Sequence, residues 1–358
     1  MRTHRPYRQD PILPGLVAAA LLLGAPVSAQ QDVPGGTLNK IYAQDKLICG
    51  VSTGVQGFSQ QDERGNYAGF DVDFCRAVAA ALFGDDSKVA YVGLSSAERF
   101  DALASGKVDV LFRNTTWTLS RDISRLMDFA GINYFDGQGF LVRTDSGIDS
   151  VQALDGRQVC VQIDTTSDKN LTDHAIGNEL TVERHYGQTL DENVAAYTSG
   201  ACDAITTDAS ALAGVRASLA DPAAHRVLPE LISKEPLALG VRQGDDELRD
   251  VVAWTLFAMI GAEELGISQD NVEQVHAQTR NRDQRRLLGV IETIEDEENA
   301  LGTILSLEPT WAYDVIRQVG NYADVFENNL GSRTAIGLER GLNALHTHGG
   351  LMYAPPLR

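Results

Sequence analysis

Hydrophobic and polar positions follow two alternating patterns along the first part of the chain. Short apolar runs bounded by turn residues predict strands at 47–52, 89–93 and 108–112. Between them, apolar residues at a spacing of three and four predict helices within 69–84 and at 96–104. Strands that alternate with helices in this way are typical of a parallel sheet covered by helices.

A second set of elements repeats this arrangement further along the chain. Segments with the character of strand, helix, strand, helix and strand lie in that order at 158–162, 169–179, 181–185, 194–198 and 203–206. The chain therefore contains the same order of strands and helices twice, and we predict two lobes of similar construction.

One pair of segments makes the repetition visible residue by residue. RFDALASGKVDVLFRNT at 99–115 and NVAAYTSGACDAITTDA at 193–209 share the order helix, Ser-Gly, aspartate, strand and polar loop. Gly106 and Gly200 stand where each helix is predicted to end. A chance likeness between two common helix and strand units is the alternative to two similar lobes.

Two extended segments, 139–143 and 236–242, bracket the second set. We predict that the chain crosses between the lobes and returns through them, so that the lobes hinge and enclose a cleft. Two later helices carry apolar stripes that would complete the first lobe, with Val251, Val252, Leu256 and Ile260 on one and Val315, Ile316, Val319 and Phe326 on the other. The predicted fold class is α/β, with two hinged lobes and two crossover strands.

The first predicted helix opens with two acids, in the sequence GFDVDF. Asp71 and Asp73 lie where an N-cap and negative charge in the first turn are favourable, and Gly84 is placed to end the helix. The two carboxylates could also be imagined as a catalytic pair. Helix-start electrostatics account for them better, because the two side chains would lie on neighbouring rather than convergent faces.

The first residues have the pattern of an export signal. Three arginines precede an apolar run at 12–25, and Val-Ser-Ala at 27–29 fits a small-x-small cleavage site. We predict a cleaved signal peptide at 1–29 and a soluble mature protein in an exported compartment. An N-terminal membrane anchor is the alternative, although the apolar run is short for a membrane span.

The chain is strongly acidic, with a formal net charge of −19 from 30 Lys and Arg against 49 Asp and Glu. The predicted leader carries three Arg and one Asp, so its removal leaves 27 basic and 48 acidic residues and a charge of −21. A chain of this charge repels nucleic acid and anionic lipid, and neither is an expected partner.

Four cysteines, Cys49, Cys75, Cys160 and Cys202, remain in the predicted mature chain. In an oxidising compartment an even number favours disulfides over thiol chemistry, and spacing groups the first two and the last two. Four buried free thiols are the alternative. The sequence has no CxxC motif and its histidines are scattered, so we predict neither a metal nor another cofactor.

Candidate chemistry lies in the loops after predicted strands, because ligands of open α/β sheets bind at the carboxyl ends of the strands. RNTTWTLSR at 113–121, DTTS at 164–167 and TTD at 206–208 supply hydroxyls, a forked cation and an acid. Arg121 could bind a carboxylate through two N–H groups, and Asp208 could receive an ammonium. Together they would suit a zwitterion such as an amino acid.

Each of these two residues also has a structural alternative. Arg121 could be a solvated residue in the first turn of a helix capped by Thr118, and Asp208 could cap the helix that follows it. From spacing alone the structural alternative is the stronger for either residue, and their placement on equivalent loops of two lobes favours binding. The sequence has no GxSxG, HExxH or glycine-rich phosphate loop, so no catalytic assembly is predicted.

Several motifs in order along the chain resemble one protein family. GFDVDFCRAVAAALFG at 69–84 is similar to the signature of family 3 extracellular solute-binding proteins, the amino-acid receptors of ABC importers. The general L-amino-acid-binding subgroup is resembled more closely, over essentially the whole mature chain, through CGVSTGVQGF, RNTTWTLSRD, YFDGQGFLVR, CDAITTDAS, SKEPLALGVRQGDD, WTLFAMIGAEELG, RQVGNYADVFE and GLNAL…GGLMYAPP. The resemblance implies a two-lobe periplasmic-binding-protein fold of type II that closes on its ligand.

The same resemblance implies which residues contact the ligand. Arg121, in a T-x-x-R pattern, would bind the α-carboxylate, and Asp208 would bind the α-ammonium. The other implied contacts come from both lobes, at Asn114, Thr116, Thr165, Thr166 and Ser96.

The implied organisation is a signal peptide at 1–29, a first lobe at 30–140, a second lobe at 141–236, and a completion of the first lobe with a C-terminal helical extension at 237–358. Disulfides Cys49–Cys75 and Cys160–Cys202 would then lie one in each lobe and leave the hinge free. The expected partners of this periplasmic monomer are a small L-amino acid and, transiently, inner-membrane permease subunits.

The chain departs from the family pattern in two places. Many relatives have glycine before the paired threonines, where this chain has Asp164. Positions that hold an acid or a stacking aromatic ring in receptors for cationic ligands or glutamine look like Ser52, Val55 and Ser96 here. Without a charge selector, the pocket is expected to accept varied side chains. The alternative function is an exported dehydratase-like enzyme for prephenate-type acids, with Asp164 as its acid.

Overall fold

The computed structural model describes residues 36–291 and 300–358. The predicted signal peptide at 1–29 lies outside the described residues. Val33–Arg358 form one compact unit, in which two separate five-stranded sheets are covered by helices. We call the part around each sheet a lobe.

The first lobe is assembled from both ends of the described chain. Its strands are β1 (Leu47–Ser52), the short hairpin β2 (Gln60–Gln61) and β3 (Tyr67–Ala68), β4 (Val89–Leu94), β5 (Val110–Thr116), β6 (Met127–Asp136) and β12 (Glu235–Arg242). Its helices are α1 (Gly36–Ala43), α2 (Phe70–Phe83), α3 (Arg99–Ala104), α4 (Leu119–Ser124), α8 (Asp246–Glu264), α9 (Val272–Gln278), α10 (Arg282–Leu287), α11 (Leu301–Ile304), α12 (Trp311–Gln318) and α13 (Tyr322–Asn329).

The second lobe is continuous in sequence. Its strands are β7 (Gln138–Arg143), β8 (Gln158–Gln162), β9 (Glu183–Gly187), β10 (Ala204–Asp208) and β11 (His225–Val227), and its helices are α5 (Thr166–Gly177), α6 (Leu190–Thr198) and α7 (Ala209–Ser218). None of the helices in the described ranges of either lobe is long and apolar enough to cross a bilayer.

The first sheet has the strand order β4-β1-β5-β12-β6 and the second has β11-β7-β10-β8-β9. β1 runs parallel to β4 and β5, but β12 runs antiparallel to both β5 and β6. In the second sheet, β7 is antiparallel to β10 and β11. The expectation of a parallel sheet is therefore wrong in part, because one strand in each sheet runs against the rest: β12, on which the chain returns to the first lobe, and β7, on which it enters the second.

The crossing between the lobes is short in one direction. β6 ends at Asp136 in the first sheet and β7 begins at Gln138 in the second, so Gly137 lies at the outward crossing. The return crossing is 228–234, which precedes β12. The predicted crossover segments 139–143 and 236–242 lie within β7 and β12, each of which belongs to a single sheet.

Helix α2 begins differently from the prediction. Gly69 is its N-cap with a φ of 134°, where a Cβ atom would lie 2.3 Å from the carbonyl oxygen of Phe58. Asp71 and Asp73 both lie in the first turn, but neither caps the helix. Gly84 ends the helix in the left-handed conformation, as the sequence predicts.

The second predicted C-terminal stripe belongs to two helices rather than one. α12 ends before Val319, Gly320 has a φ of 103°, and Asn321 begins α13 with a capping box that it shares with Asp324. Val315 and Phe326 are nevertheless both buried in the core of the first lobe. The apolar spacing predicts their burial, whereas the glycine and the capping box determine the break.

The two repeated segments play the same structural part in their lobes. Asp109, just before β5, accepts a hydrogen bond from the N–H of Ile48 at 2.9 Å, and Asp203, just before β10, accepts one from Gln158 at 3.0 Å. The glycine three residues before each aspartate has a positive φ, of 73° and 82°. Each aspartate thus fixes the start of its strand against the neighbouring parallel strand.

Both cysteine pairs are disulfides within one lobe. Cys49 in β1 is bonded to Cys75 in α2, and Cys160 in β8 is bonded to Cys202 just before β10. No cysteine is free in the described residues, which contain all four. Neither bond joins one lobe to the other, so neither restrains their relative movement.

A C-terminal segment after α13 packs on the first lobe beside the crossing. Asn343 donates to the carbonyl oxygen of Phe135 in β6 at 3.1 Å and accepts from its N–H at 2.6 Å. Arg340 forms an ion pair with Glu263 at 3.0 Å and lies 5.0 Å from the ring centre of Tyr322. This segment therefore braces the outer edge of β6 where the chain leaves the lobe.

Candidate functional site

A cleft between the lobes collects the predicted ligand contacts. It contains about 440 Å³ of space, part of which is open to solvent. The residues that the sequence singled out all line it: Ser96, Asn114, Thr116, Arg121, Thr165, Thr166 and Asp208. The first four belong to the first lobe and the last three to the second, so the cleft is shared by both.

Arg121 is a buried cation in the first turn of helix α4. Thr118 caps this helix by accepting from the N–H of Arg121, as the structural alternative supposed. The side chain is not solvated, however, since Arg121 is only 8% exposed and its Nη1 donates to the carbonyl oxygen of Thr116 at 2.9 Å. Burial lowers the pKa of Arg121, and the nearby Glu235 acts in the opposite direction. The guanidinium therefore faces the cleft with most of its donors available.

Asp208 stands opposite, at the carboxyl end of β10. It occupies the N-cap position of α7, but its side chain makes no capping hydrogen bond. The carboxylate instead accepts from Nδ2 of Asn114 across the cleft at 3.3 Å. Burial raises the pKa of Asp208 well above its usual value, and the nearby carboxylates of Asp136 and Glu235 raise it further. A bound cation would favour the ionised form.

Asn114 has an unusual backbone conformation that aims its side chain. Its φ is 34°, in a region where asparagine is among the more tolerated residues, and its N–H donates to a carboxylate oxygen of Asp71 at 2.9 Å. Its Oδ1 is buried and has no hydrogen-bond partner among the described residues. A buried acceptor of this kind is normally paired, so Oδ1 is free to accept from a ligand.

The N-terminus of helix α5 forms the floor of the cleft in the second lobe. Thr165 caps the helix and accepts from the N–H of Asp168, while its hydroxyl donates to the carbonyl oxygen of Gln162 at 2.7 Å. Thr166 and Ser167 follow as the first residues of the helix and also line the cleft. The first N–H groups of a helix lack partners within it and attract anions.

Asp164, which replaces the usual glycine, does not reach the cleft. It has a φ of 60°, the left-handed conformation that glycine adopts most easily and that aspartate tolerates better than most residues. The side chain is exposed and is absent from the cleft lining. The local turn is therefore kept without glycine, and the acid postulated for a dehydratase points elsewhere.

Glu235 is a buried residue that the sequence did not single out as a site. Its carboxylate accepts hydrogen bonds from Thr116 of the first lobe, from Thr166 and Asn170 of the second, and from Ser233 in the return crossing. One side chain at the start of β12 thus holds both walls of the cleft. The sequence feature that could have identified Glu235 is its position as an acid in the segment that returns to the first lobe.

Two further arginines, Arg99 and Arg113, also line the cleft. Arg113 donates to the carbonyl oxygen of Leu94 at 2.9 Å and to Oγ of Ser96 at 3.1 Å. Ser96 is thus accompanied in the first lobe by two buried guanidinium groups, which the expectation of a pocket without a charge selector did not include. Sequence patterns miss them because an arginine on an amphipathic helix or next to a strand end is usually solvated.

Comparison with known proteins agrees with this architecture. The family model of the bacterial extracellular solute-binding proteins, family 3, matches residues 47–270. The general L-amino acid-binding periplasmic protein AapJ of Rhizobium johnstonii is 46% identical over 341 residues, covering 95% of this chain and 97% of the relative. The glutamate/glutamine/aspartate/asparagine-binding protein BztA of Rhodobacter capsulatus is 47% identical, covering 96% and 98%.

A solved structure is similar in both sequence and shape. It is an ABC transporter periplasmic binding protein from Brucella ovis with glutathione bound, with a TM-score of 0.86 and 48% identity over 90% of this chain and 99% of that one. The similar relatives named here are binding proteins rather than enzymes. On the family match, these relatives and the two-lobe fold, the chain belongs to the bacterial extracellular solute-binding proteins of family 3.

Proposed function

We propose that this protein is the periplasmic substrate-binding subunit of an ABC amino-acid importer and that it binds L-amino acids in the cleft. The observation that carries the proposal is the position of Arg121 and Asp208 on opposite lobes of one cleft. An α-amino acid presents a carboxylate and an ammonium on the same carbon, so one ligand head group can engage both residues. The names of the relatives support the same ligand class.

The α-carboxylate is assigned to Arg121 and to the start of helix α5. A guanidinium holds a carboxylate through two parallel hydrogen bonds and keeps its charge when buried. The first N–H groups of α5 lie on the facing wall, where Thr165 and Thr166 line the cleft while their hydroxyls donate to Gln162 and Glu235. A carboxylate in this position would join the two lobes.

The α-ammonium is assigned to Asp208 and Asn114. An ammonium has three donors, and both the Asp208 carboxylate and the unpaired Oδ1 of Asn114 are acceptors. Burial raises the pKa of Asp208 and disfavours its ionised form, so a bound ammonium is expected to favour loss of the carboxyl proton. Selectivity for α-amino acids over other carboxylic acids follows from this pairing.

The mechanism proposed is closure of the two lobes about Gly137 and the return crossing 228–234. For this movement we propose the lobe division 30–140, 141–236 and 237–358, and the sheet membership of β7 and β12 supports placing its boundaries at Gly137 and before Glu235. Because the ligand contacts both walls, it binds the closed form better than the open form and shifts the population towards it. The closed form would then dock transiently on membrane permease subunits.

Location and assembly follow from the same proposal. The pattern at 1–29 supports a cleavable signal peptide, and the relatives named as periplasmic support export to that compartment. We propose a monomer that accepts several amino acids, because Arg121 and Asp208 contact only the head group that all of them share.

Replacement of Arg121 by alanine tests the site. The mature protein is unfolded and refolded to remove captured ligand, and amino-acid binding is measured by calorimetry. We expect Arg121→Ala to weaken binding by about 100-fold or more, because charged hydrogen bonds contribute roughly 1.5 to 3 kcal/mol each. Arg125→Ala is the matched control, since Arg125 is exposed and outside the cleft.

Two results would contradict the proposal. One is an Arg121→Ala variant that binds as tightly as the unaltered protein. The other is an unaltered, ligand-free protein that binds none of the L-amino acids. Circular dichroism of each variant excludes loss of fold as the cause of weak binding.

A further inference from the structure

The cleft holds more positive charge than an amino-acid head group requires. Arg99, Arg113 and Arg121 line it together with a single lining acid, Asp208. One arginine and one acid suffice for the α-carboxylate and α-ammonium. Two guanidinium groups are therefore unexplained by head-group recognition.

Arg113 is explained by its neighbours. Its Nε and Nη2 donate to Leu94 and Ser96, and Asp71 provides the attraction that partly offsets its burial. Arg113 thus supports the wall of the cleft and positions the hydroxyl of Ser96, whose own hydrogen remains available to donate.

Arg99 has no comparable partner. It is 3% exposed, and its Nε and Nη2 are buried without a hydrogen-bond partner in the described residues. The Arg99 side chain makes a cation–π contact with Phe100, whose ring centre lies 4.8 Å from Cζ of Arg99. Arg99 is also the first residue of α3, the end of a helix where positive charge is unfavourable. A buried and unpaired cation is costly, and such groups are normally paired.

Among residues 36–291 and 300–358, no acid forms an ion pair or a hydrogen bond with Nε or Nη2 of Arg99. The charged groups that act on it are Arg113, Arg121, Asp208 and Arg125, of which only Asp208 is an acid. Burial, then Arg113 and Arg121, lower the pKa of Arg99 well below its usual value. A guanidinium nevertheless remains protonated in proteins, so Arg99 carries a positive charge that an anion would stabilise.

Other acids near the cleft already have partners, and among them Asp71 accepts from the N–H of Asn114 and attracts Arg113. Glu235 accepts four side-chain hydrogen bonds, and Asp136 accepts from the hydroxyl and N–H of Ser210 and from the N–H of Gly137. Asp208 is needed for the ammonium. The missing partner of Arg99 must therefore come from the ligand.

We propose that Arg99, assisted by the hydroxyl of Ser96, determines specificity by binding a second carboxylate at the far end of the ligand side chain. This inference rests on the proposed function, because it takes Arg121 and Asp208 as the head-group contacts. The preferred ligands are dicarboxylic amino acids, of which glutamate and aspartate are the simplest. Neutral amino acids bind more weakly through the head group alone, and cationic side chains are disfavoured.

The ligands named for two relatives are consistent with a preference for dicarboxylic over neutral amino acids. BztA is named for two acidic amino acids and their amides. Glutathione, bound in the Brucella ovis structure, carries an α-amino acid head group and a distant second carboxylate. Recognition would thus be broad in the amino acids accepted and graded by the charge at the end of the side chain.

The test compares glutamate with glutamine, which differ in charge and hardly in shape. Dissociation constants for both, and for aspartate, asparagine and lysine, are measured by calorimetry on refolded, ligand-free protein. The variant is Arg99→Gln. The matched control is Arg125→Gln, which removes the same charge at 5.4 Å from the same Phe100 ring but on an exposed side chain outside the cleft.

We expect the unaltered protein to bind glutamate about tenfold or more tightly than glutamine. Arg99→Gln is expected to lower that ratio by about tenfold or more, through weaker glutamate binding, while glutamine binding changes little. Arg125→Gln is expected to leave the ratio within about twofold to threefold, since exposed charges are screened. The melting temperature of ligand-free Arg99→Gln should not fall, because a buried unpaired charge is removed.

Three outcomes would overturn the inference. Equal affinity of the unaltered protein for glutamate and glutamine would do so, as would an unchanged ratio in Arg99→Gln. Equal weakening of both ligands with a lower melting temperature would make Arg99 a structural residue. In these cases amino-acid binding itself persists and the proposed function stands, whereas absence of binding by any amino acid would remove both.

Discussion

Asp71 is a buried acid whose surroundings only partly favour its charge. It is 2% exposed, and burial raises its pKa to about 7, against the hydrogen bonds that it accepts from Asn114 and Asn133. Because the pKa in the folded protein exceeds the unfolded value of 3.8, the folded state holds the proton more tightly. The resulting stability is complete below the unfolded pKa and is lost as pH rises through the folded pKa, between about 4 and 7.

Replacement of Asp71 by asparagine should therefore flatten the dependence of stability on pH. The amide keeps an oxygen acceptor for the N–H of Asn114 and cannot ionise. One group changes the free energy of unfolding by at most about 1.4 kcal/mol per pH unit. Urea unfolding at pH 5 and pH 8 should show Asp71→Asn gaining stability relative to the unaltered protein at the higher pH.

Asp62 offers the matched control for this measurement. It is exposed, and hydrogen bonds from Asn66 lower its pKa, so it is ionised throughout the range from pH 5 to 8. Asp62→Asn should change the free energy of unfolding by the same amount at pH 5 and at pH 8. An unchanged difference between pH 5 and pH 8 in Asp71→Asn would mean that Asp71 stays ionised in the fold.

At the scale of elements, the edge of β6 depends on the C-terminal segment. β6 lies at the end of its sheet, and Asn343 completes the hydrogen bonding of Phe135 on the open side. Asn343 is itself 3% exposed. Asn343→Ala would remove the partner of the N–H and the carbonyl oxygen of the half-buried Phe135, which costs at most roughly 2 to 4 kcal/mol together.

This loss should appear as a melting temperature lower by several degrees. The control is Asn328→Ala, because Asn328 is exposed and its side-chain contact is with Arg333 on the surface. Equal melting temperatures of the two variants would show that water replaces Asn343 at the edge of β6 and that the segment does not brace the crossing.

The same elements show what a sequence can and cannot predict. Helices and strands were predictable because apolar spacing reports burial, and the strand-end loops were predictable because parallel strands present them at one edge. The direction of β12 was not, since it depends on where the chain returns from the second lobe. The place of Arg99 in the cleft was not predictable either, because only the folded structure shows that the residues around it supply no anionic partner.

At the scale of the whole molecule, one glycine allows the lobes to meet. Gly214 lies in α7 of the second lobe, where an added Cβ atom would stand 2.7 Å from the carbonyl oxygen of Gln56 in the first lobe. The obstruction is backbone, so the lobes would have to separate. Within the helix itself, alanine is more favourable than glycine by roughly 0.5 to 1 kcal/mol.

Gly214→Ala should therefore separate stability from closure. We expect the melting temperature of the ligand-free protein to be unchanged or higher, and the affinity for amino acids to fall. Small-angle scattering with saturating ligand should give a larger radius of gyration than for the unaltered protein. Gly177→Ala, at a helical position of the second lobe with no atom near its Cβ, is the control. Full affinity in Gly214→Ala would show that closure does not bring these backbones together.

The insertion of one lobe within the other also fixes an order of events on a growing chain. All strands of the second lobe lie together in sequence, whereas β6 pairs only with β12 in the described sheets and so waits for the whole second lobe to be made. Even α2 waits longer, because Asp73 accepts from Asn329 near the other end. Contacts so distant in sequence form slowly. The lobe that begins first can therefore be completed only after the whole of the second lobe has been synthesised.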